Sequence, residues 1–154
     1  MPLHLQIVTP EKKAFEGDVD EVIVPGSEGE LGILPHHAPL ISLLGQGVLR
    51  LKQGGQEQEF AIFGGFLQVR PDRVVVLAET ADLGSEIDLE RAERARREAE
   101  KMLQGGLAEE IDLSLARAAL QRALIRIRIA ERGHREAPRR RPSSSGLEQP
   151  PGDE

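Results

Sequence analysis

The hydrophobic pattern of this chain changes period once, near residue 85, and that change calls for two domains of different type. Upstream, short segments alternate. Leu3, Leu5 and Ile7 share one face of LHLQIV, as a half-buried strand requires. EVIVPG is a short apolar run closed by Pro25-Gly26. Val48 to Lys52 and Gln58 to Phe63 flank a Gly54-Gly55 turn and read as a hairpin. GGFLQVRPDRVVVLAE reads as a second hairpin, with Pro71-Asp72 suited to a type I turn. Gly64-Gly65, inside strand-like sequence, predicts a bulge or sharp bend. Many short strands punctuated by turns indicate a β-sandwich or a barrel over residues 1–84.

From Glu86 the spacing becomes three and four. Asp88 is a good N-cap for LERAERARREAEKMLQ, and Gly105-Gly106 a good stop. Asp112 then caps LSLARAALQRALIRIRIAER, which ends at Gly133. Two helices joined by so short a link form an antiparallel hairpin over 85–132. Ala92, Ala95, Ala99 and Met102 make the inner stripe of the first helix; Ala116, Ala119, Ala123, Ile127 and Ala130 make that of the second. Leu120 and Leu124 flank the second stripe and are available to pack on the β domain. An alanine seam buries little apolar area, so the hairpin must lean on the sandwich or on a partner. Residues 133–154 are rich in Pro, Ser and charge with almost nothing to bury, which reads as a disordered tail; its Arg139, Arg140 and Arg141 could meet an acidic partner or anionic lipid.

Composition removes several function classes. The net charge of −6 over 154 residues argues against generic nucleic-acid binding. The absence of cysteine excludes disulfide and thiolate chemistry. No apolar run approaches the roughly 20 residues that span a bilayer, and no secretory leader precedes MPLHLQIVTP. GSEGELG imitates a phosphate loop but lacks the Lys-Ser/Thr that completes one, and Glu28 and Glu30 would repel phosphate. His36 and His37 are adjacent, so on an extended backbone they point opposite ways and do not share a metal. No Gly-x-Ser-x-Gly nucleophile is present. What remains of GELGILPHHAPL is a bent, glycine-punctuated loop showing acids beside aliphatics: a docking surface. On the hairpin, Asp88 and Arg91 lie one turn apart, and Arg122 and Arg126 share a face at i,i+4. In an antiparallel hairpin these four converge. They read either as surface ion pairs or as a site whose forked arginines hold a triphosphate.

The segments GSEGELGILPHHAPL, GGFLQVRPDRVVVLAETA and IDLERA, in that order from about Leu3 to Glu131, resemble the epsilon-chain family of bacterial F-type ATP synthases. The resemblance implies a ten-stranded β-sandwich followed by a two-helix hairpin. It implies a non-catalytic rotor part of the central stalk, peripheral on the cytoplasmic side of the cell membrane. Such a subunit couples proton-driven ring rotation to ATP synthesis, and its helical domain restrains hydrolysis. The implied partners are the gamma subunit, the c-subunit ring and, with the hairpin extended, the alpha/beta catalytic head. Glu28, Glu30, Leu31, Ile33 and Leu34 match the ring-facing region, and His37 falls in the part near gamma. No cofactor is required, but some members bind regulatory ATP on the folded hairpin. That motif is intact as Ile87, Asp88, Arg91 and Ala92, with Arg122 and Arg126 as the second-helix cations. Glu98 stands where tight binders carry arginine, with Arg94, Arg96 or Arg97 as candidate substitutes. The rival reading is a free-standing β-barrel adaptor or small enzyme with a helical appendage.

Overall fold

The computed structural model describes residues 2–105 and 109–136, the last three by backbone alone. Eight strands come first: β1 (Leu3–Val8), β2 (Lys13–Val19), β3 (Glu21–Gly26), β4 (Gly29–Ile33), β5 (Leu40–Gln53), β6 (Gln56–Val69), β7 (Arg73–Ala78) and β8 (Ala81–Leu83). A 3-10 turn over Gly84–Glu86 leads to α1 (Leu89–Gln104) and α2 (Glu110–Glu136). The strands form one sheet in the order β2-β1-β7-β6-β5-β3-β4, with β8 added to β6. Every strand gives side chains to a single apolar core, from Leu3 and Leu5 through Leu49, Phe60 and Leu67 to Val76 and Ala81. The sheet therefore folds over on itself as a sandwich, followed by the helical hairpin, as expected.

The strand count is eight rather than ten, and the corner explains why. β5 and β6 each run 14 residues in one unbroken register, Leu40 opposite Val69 to Gln53 opposite Gln56. Yet the inward phase flips along both. On β6 Phe60 and Ile62 face the core before the corner, and Leu67 and Val69 after it; on β5 Leu44 does so before, Leu49 and Leu51 after. A period of two cannot change phase without an irregular step. Gly64 and Gly65 supply it, with φ of 73° and 124°. A Cβ on Gly65 would lie 2.0 Å from the Leu77 carbonyl oxygen, so only glycine fits there.

Several local expectations need correction. GELGI is the edge strand β4, paired with β3 from Val22–Ile33 to Gly26–Gly29, not part of a loop. β2 and β8 carry sequence too charged or too short to show as strands. The backbone at the histidine pair is not extended: His36 has φ 66°, and its amide donates to the Pro71 carbonyl at 2.9 Å, tying this turn to the β6–β7 turn. α2 begins at Glu110, so Asp112 lies in its first turn rather than at its cap. α2 also passes through Gly133 to Glu136. Gly133 is there for contact: a Cβ would sit 2.7 Å from the Gly84 carbonyl carbon and 2.7 Å from the Ser85 amide nitrogen. Gly106 and residues 137–154, including Arg139, Arg140 and Arg141, lie outside the described residues.

A polar network pins the edge strand β2 to β1. His4 is held between two carboxylates, its Nδ1 3.1 Å from Asp18 and its Nε2 3.2 Å from Glu16. Gln6 also donates to Glu16 at 2.8 Å, and Lys13 pairs with the same carboxylate. The hydrogen bonds to Asp18 and Glu16 raise the His4 pKa above 6.5. Lys13 first, then Gln6 and His4, lower Glu16 to about 2. A raised histidine pKa contributes stability that is complete below pH 6.5 and fades as pH rises through the folded value. The Glu16 contribution is lost only in acid, below 4.5 and towards 2.

Two outcomes follow. The thermal stability advantage of the native chain over His4→Gln should be largest below pH 6.5 and shrink above it; an advantage growing with pH contradicts the network. Gly→Ala inside an ordinary helix gains about 1 kcal/mol. Gly133→Ala should instead lose about 1–3 kcal/mol by overpacking, read from thermal unfolding of the helical signal.

Candidate functional site

The site lies where the hairpin meets the sandwich. The first half of β6 is buried on both faces: Phe60 and Ile62 point into the sandwich, while Ala61 and Phe63 point out and are covered by Ile129 and Ala130 of α2 and by Ile87. Val48, Ile125 and Leu89 close the rim of this second core. Arg126 extends it with charge. Its guanidinium stacks 4.7 Å over the Phe63 ring, and its Nε donates to Asp82 of β8 at 3.1 Å. Arg132 pairs with Glu59 at 3.0 Å at the end of the same face. Half-exposed ion pairs contribute about 0–1 kcal/mol each, whereas a buried Phe or Ile contributes about 1.5–3. The apolar contact therefore holds the hairpin, and the pairs set its angle.

The docking residues differ from those expected. Ile125 and Ile129 pack on the sandwich; Leu124 is exposed. One residue is 100° on a helix, so a face guessed one position off points elsewhere. The alanine seam between helices is also narrower. Ala92, Ala99, Ala116, Ala123 and Ala130 are buried, but Ala95, Met102 and Ala119 are exposed.

Beside this contact opens a cleft of about 540 Å³. It is lined by Ile87, Asp88, Arg91, Ala92 and Arg126, five of the six residues singled out on the hairpin, together with Asp82 and Lys12 of the sandwich. The Asp88 carboxylate is spent on capping α1, accepting from the Arg91 amide at 3.2 Å. Arg122 is not in the lining; its guanidinium sits over the Phe63 ring, 5.5 Å from the centroid. Glu98 and Arg94 are exposed on α1, and neither they nor Arg96 and Arg97 line the cleft. Asp82 and Lys12 gave no sequence signal, since only the fold brings β8 and the β1–β2 turn to the start of α1.

The predicted partner surface divides. Ile33 is 0% exposed and belongs to the sandwich core, because β4 alternates inward at that position. That corrects its assignment as a contact. Leu31 is half-buried against the same core. Glu28 is exposed at the β3–β4 turn, Glu30 pairs with Arg50 at 3.3 Å, and Leu34 is 57% exposed. His37 is half-buried; its amide closes the turn by donating to the Leu34 carbonyl at 3.2 Å, and its Nδ1 lies 2.7 Å from the Ala38 carbonyl. A larger apolar surface went unread. Leu43, Phe66 and Leu77 occupy one rung across β5, β6 and β7, and each is about half exposed or more. Ile41, two residues along β5, is 74% exposed. Leu43, Phe66 and Leu77, with Val8 and Pro10, border a hollow of about 690 Å³. Their signal lay in LISLLG, where apolar residues fill both phases of a strand whose other face already suffices for the core.

Among the described residues, no cluster of His, Asp or Glu converges to hold a metal, and no helix is long and apolar enough to cross a membrane. A sandwich with a helical hairpin packed on it, a charged cleft between them and an open apolar face defines a two-domain protein of β-sandwich and helical hairpin. Residues 2–84 match the β-sandwich domain of the ATP synthase delta/epsilon chain, and residues 85–131 match its long α-helix domain. The chain belongs to the ATP synthase delta/epsilon chain family, whose epsilon chains are non-catalytic subunits of that complex. It is 51% identical over 130 residues to the ATP synthase epsilon chain of Halalkalibacterium halodurans, covering 84% of this chain and 98% of that one. It is 49% identical over 128 residues to that of Desulforamulus reducens, covering 83% and 96%. Among solved structures it is similar to a chain of the Euglena gracilis mitochondrial ATP synthase (OSCP/F1/c-ring, rotational state 1), at 25% identity and TM-score 0.62, covering 84% of this chain and 78% of that one. A chain of the Tetrahymena thermophila central stalk and c-ring shares the fold at 13% identity and TM-score 0.52.

The division of the surface has a direct test. Ile33→Ala should cost about 2–4 kcal/mol in unfolding free energy, as a core truncation does. Leu34→Ala, one residue on, should stay within about 0.5 kcal/mol. Denaturant midpoints of the two variants check this.

Proposed function

We propose that the chain is a rotor subunit of a proton-translocating F-type ATP synthase, coupling rotation of the membrane ring to ATP synthesis and restraining hydrolysis through its hairpin. The open apolar rung Leu43–Phe66–Leu77 carries the docking part of this reading. So large an exposed patch has a cost in solvent that a permanent partner removes. The partner is the gamma subunit. The turn at Glu28, with Glu30 and Leu34, faces the ring of c subunits. The chain is then peripheral to the cytoplasmic side of the cell membrane, held there by its partners.

The hairpin is the regulatory part. Folded down, it rests on Phe63; released, it extends along gamma, and its basic second helix meets acidic surfaces of the alpha/beta head. The alanine seam favours such a two-state element, because weak self-packing leaves a small gap between the states. ATP in the cleft favours the folded state, by binding it better than the open one. Moving the balance from 1:99 to 99:1 takes about 5.5 kcal/mol of differential affinity. Arg91 and Arg126 are the phosphate-facing cations, and Arg122 acts behind them on the Phe63 ring.

Two measurements test this. Phe66→Glu with Leu43→Glu should abolish association with gamma while the isolated chain stays folded; retained association would remove the docking face. Calorimetric titration of the chain with ATP should give heat that Arg126→Ala eliminates and Arg122→Ala only weakens. No heat at millimolar ATP rejects the nucleotide site. A free-standing adaptor, by contrast, would not co-purify from membranes with the ATP synthase.

A further inference from the structure

We propose that Lys12, on the sandwich, is a phosphate-binding residue of the cleft, so that a bound nucleoside polyphosphate bridges the two domains rather than sitting on the hairpin alone. The inference rests on the nucleotide reading of that cleft. Lys12 lines it from the β1–β2 turn, across from Arg91 and Arg126 of the hairpin. The turn is closed by Thr9, whose amide donates to the Lys12 carbonyl at 2.9 Å and whose hydroxyl donates to that carbonyl at 3.1 Å and accepts from the Lys12 amide at 3.2 Å. Its backbone is thus held beside the cleft, and the side chain makes no ion pair among the described residues. The neighbouring Lys13 is occupied by Glu16.

Charge balance gives the reason. The lining holds the carboxylates Asp82, Glu86 and Asp88 against the cations Lys12, Arg91 and Arg126. Without Lys12 three acids face two cations, and the cleft repels a polyphosphate. With it the formal charge is zero, and Asp88 and Asp82 are already engaged by the Arg91 amide and by Arg126. Arg94, Arg96 and Arg97 do not line the cleft, so Lys12 is the one cation beside Arg91 and Arg126 in its lining among the described residues. A ligand held from both sides stabilises the docked hairpin directly, because releasing the hairpin separates Lys12 from the arginines. This is differential affinity for one state, which a ligand must have to shift an equilibrium.

The experiment is calorimetric titration of the full chain with ATP, for wild type, Lys12→Ala, Lys12→Arg, Lys13→Ala and Arg126→Ala. Circular dichroism verifies that each is folded. Lys12→Ala should weaken binding about tenfold or more, and Lys12→Arg should restore most of it. Lys13→Ala should stay within about twofold of wild type. If Lys12→Ala binds like wild type while Arg126→Ala does not bind, the bridging role is wrong and the nucleotide site stands. If Lys13→Ala weakens binding as much as Lys12→Ala, the effect is general surface charge and the proposal also fails. If the wild type gives no heat, the nucleotide reading falls, and this inference with it.

Discussion

Phe63 joins the two halves of the molecule. It stands on β6 just before the glycine corner, in the phase that points away from the sandwich core, and it is 1% exposed only because α2 covers it. Ile129, Ala130 and Ile87 pack with it in one buried cluster, and Arg126 and Arg122 lie over its ring. Everything the hairpin does follows from that cover. The close approach of Gly133 to Gly84, the Arg126–Asp82 pair and the cleft above them exist only while α2 rests there. The hairpin's own seam is alanine and cannot substitute for this contact.

The same strand sets the second functional surface. Gly64 and Gly65 reverse the phase of β6, so Phe63 before the corner serves the hairpin and Phe66 after it faces solvent. One strand thus presents an aromatic ring to each of two docking events, the internal one with α2 and the proposed external one with a rotor partner. A straight strand would carry residues 63 and 66 on opposite faces of a single layer. The corner places them on different layers of the sandwich.

Much of this was legible in the sequence. Alternation in LHLQIV located β1, the apolar run VVVLAE after the Pro71-Asp72 turn located β7, Gly54-Gly55 located the long hairpin, and Gly64-Gly65 marked the bend, because local chemistry suffices for these. IDLERA located the start of α1 and four of the cleft residues for the same reason: a cap and its first turn are contiguous. What could not be read was anything set by packing between distant segments. Ile33 looks like a surface loop residue until β4 pairs with β3. Gly133 looks like a helix stop until α2 meets the turn at Gly84. Lys12 is an unremarkable turn lysine until the hairpin folds down beside it. Leu43 and Phe66 look like core residues until the opposite phase of their strands proves to fill the core.

The central claim is that the hairpin is a separate unit held on the sandwich through Phe63. Amide hydrogen exchange on the wild type and on Phe63→Ala tests it most directly. Phe63 lies outside the sandwich's own core cluster. The account therefore predicts that protection in α1 and α2 collapses in the variant while β1, β3, β6 and β7 keep theirs. Unchanged protection in α2, or loss of protection in hairpin and sandwich together, would contradict it.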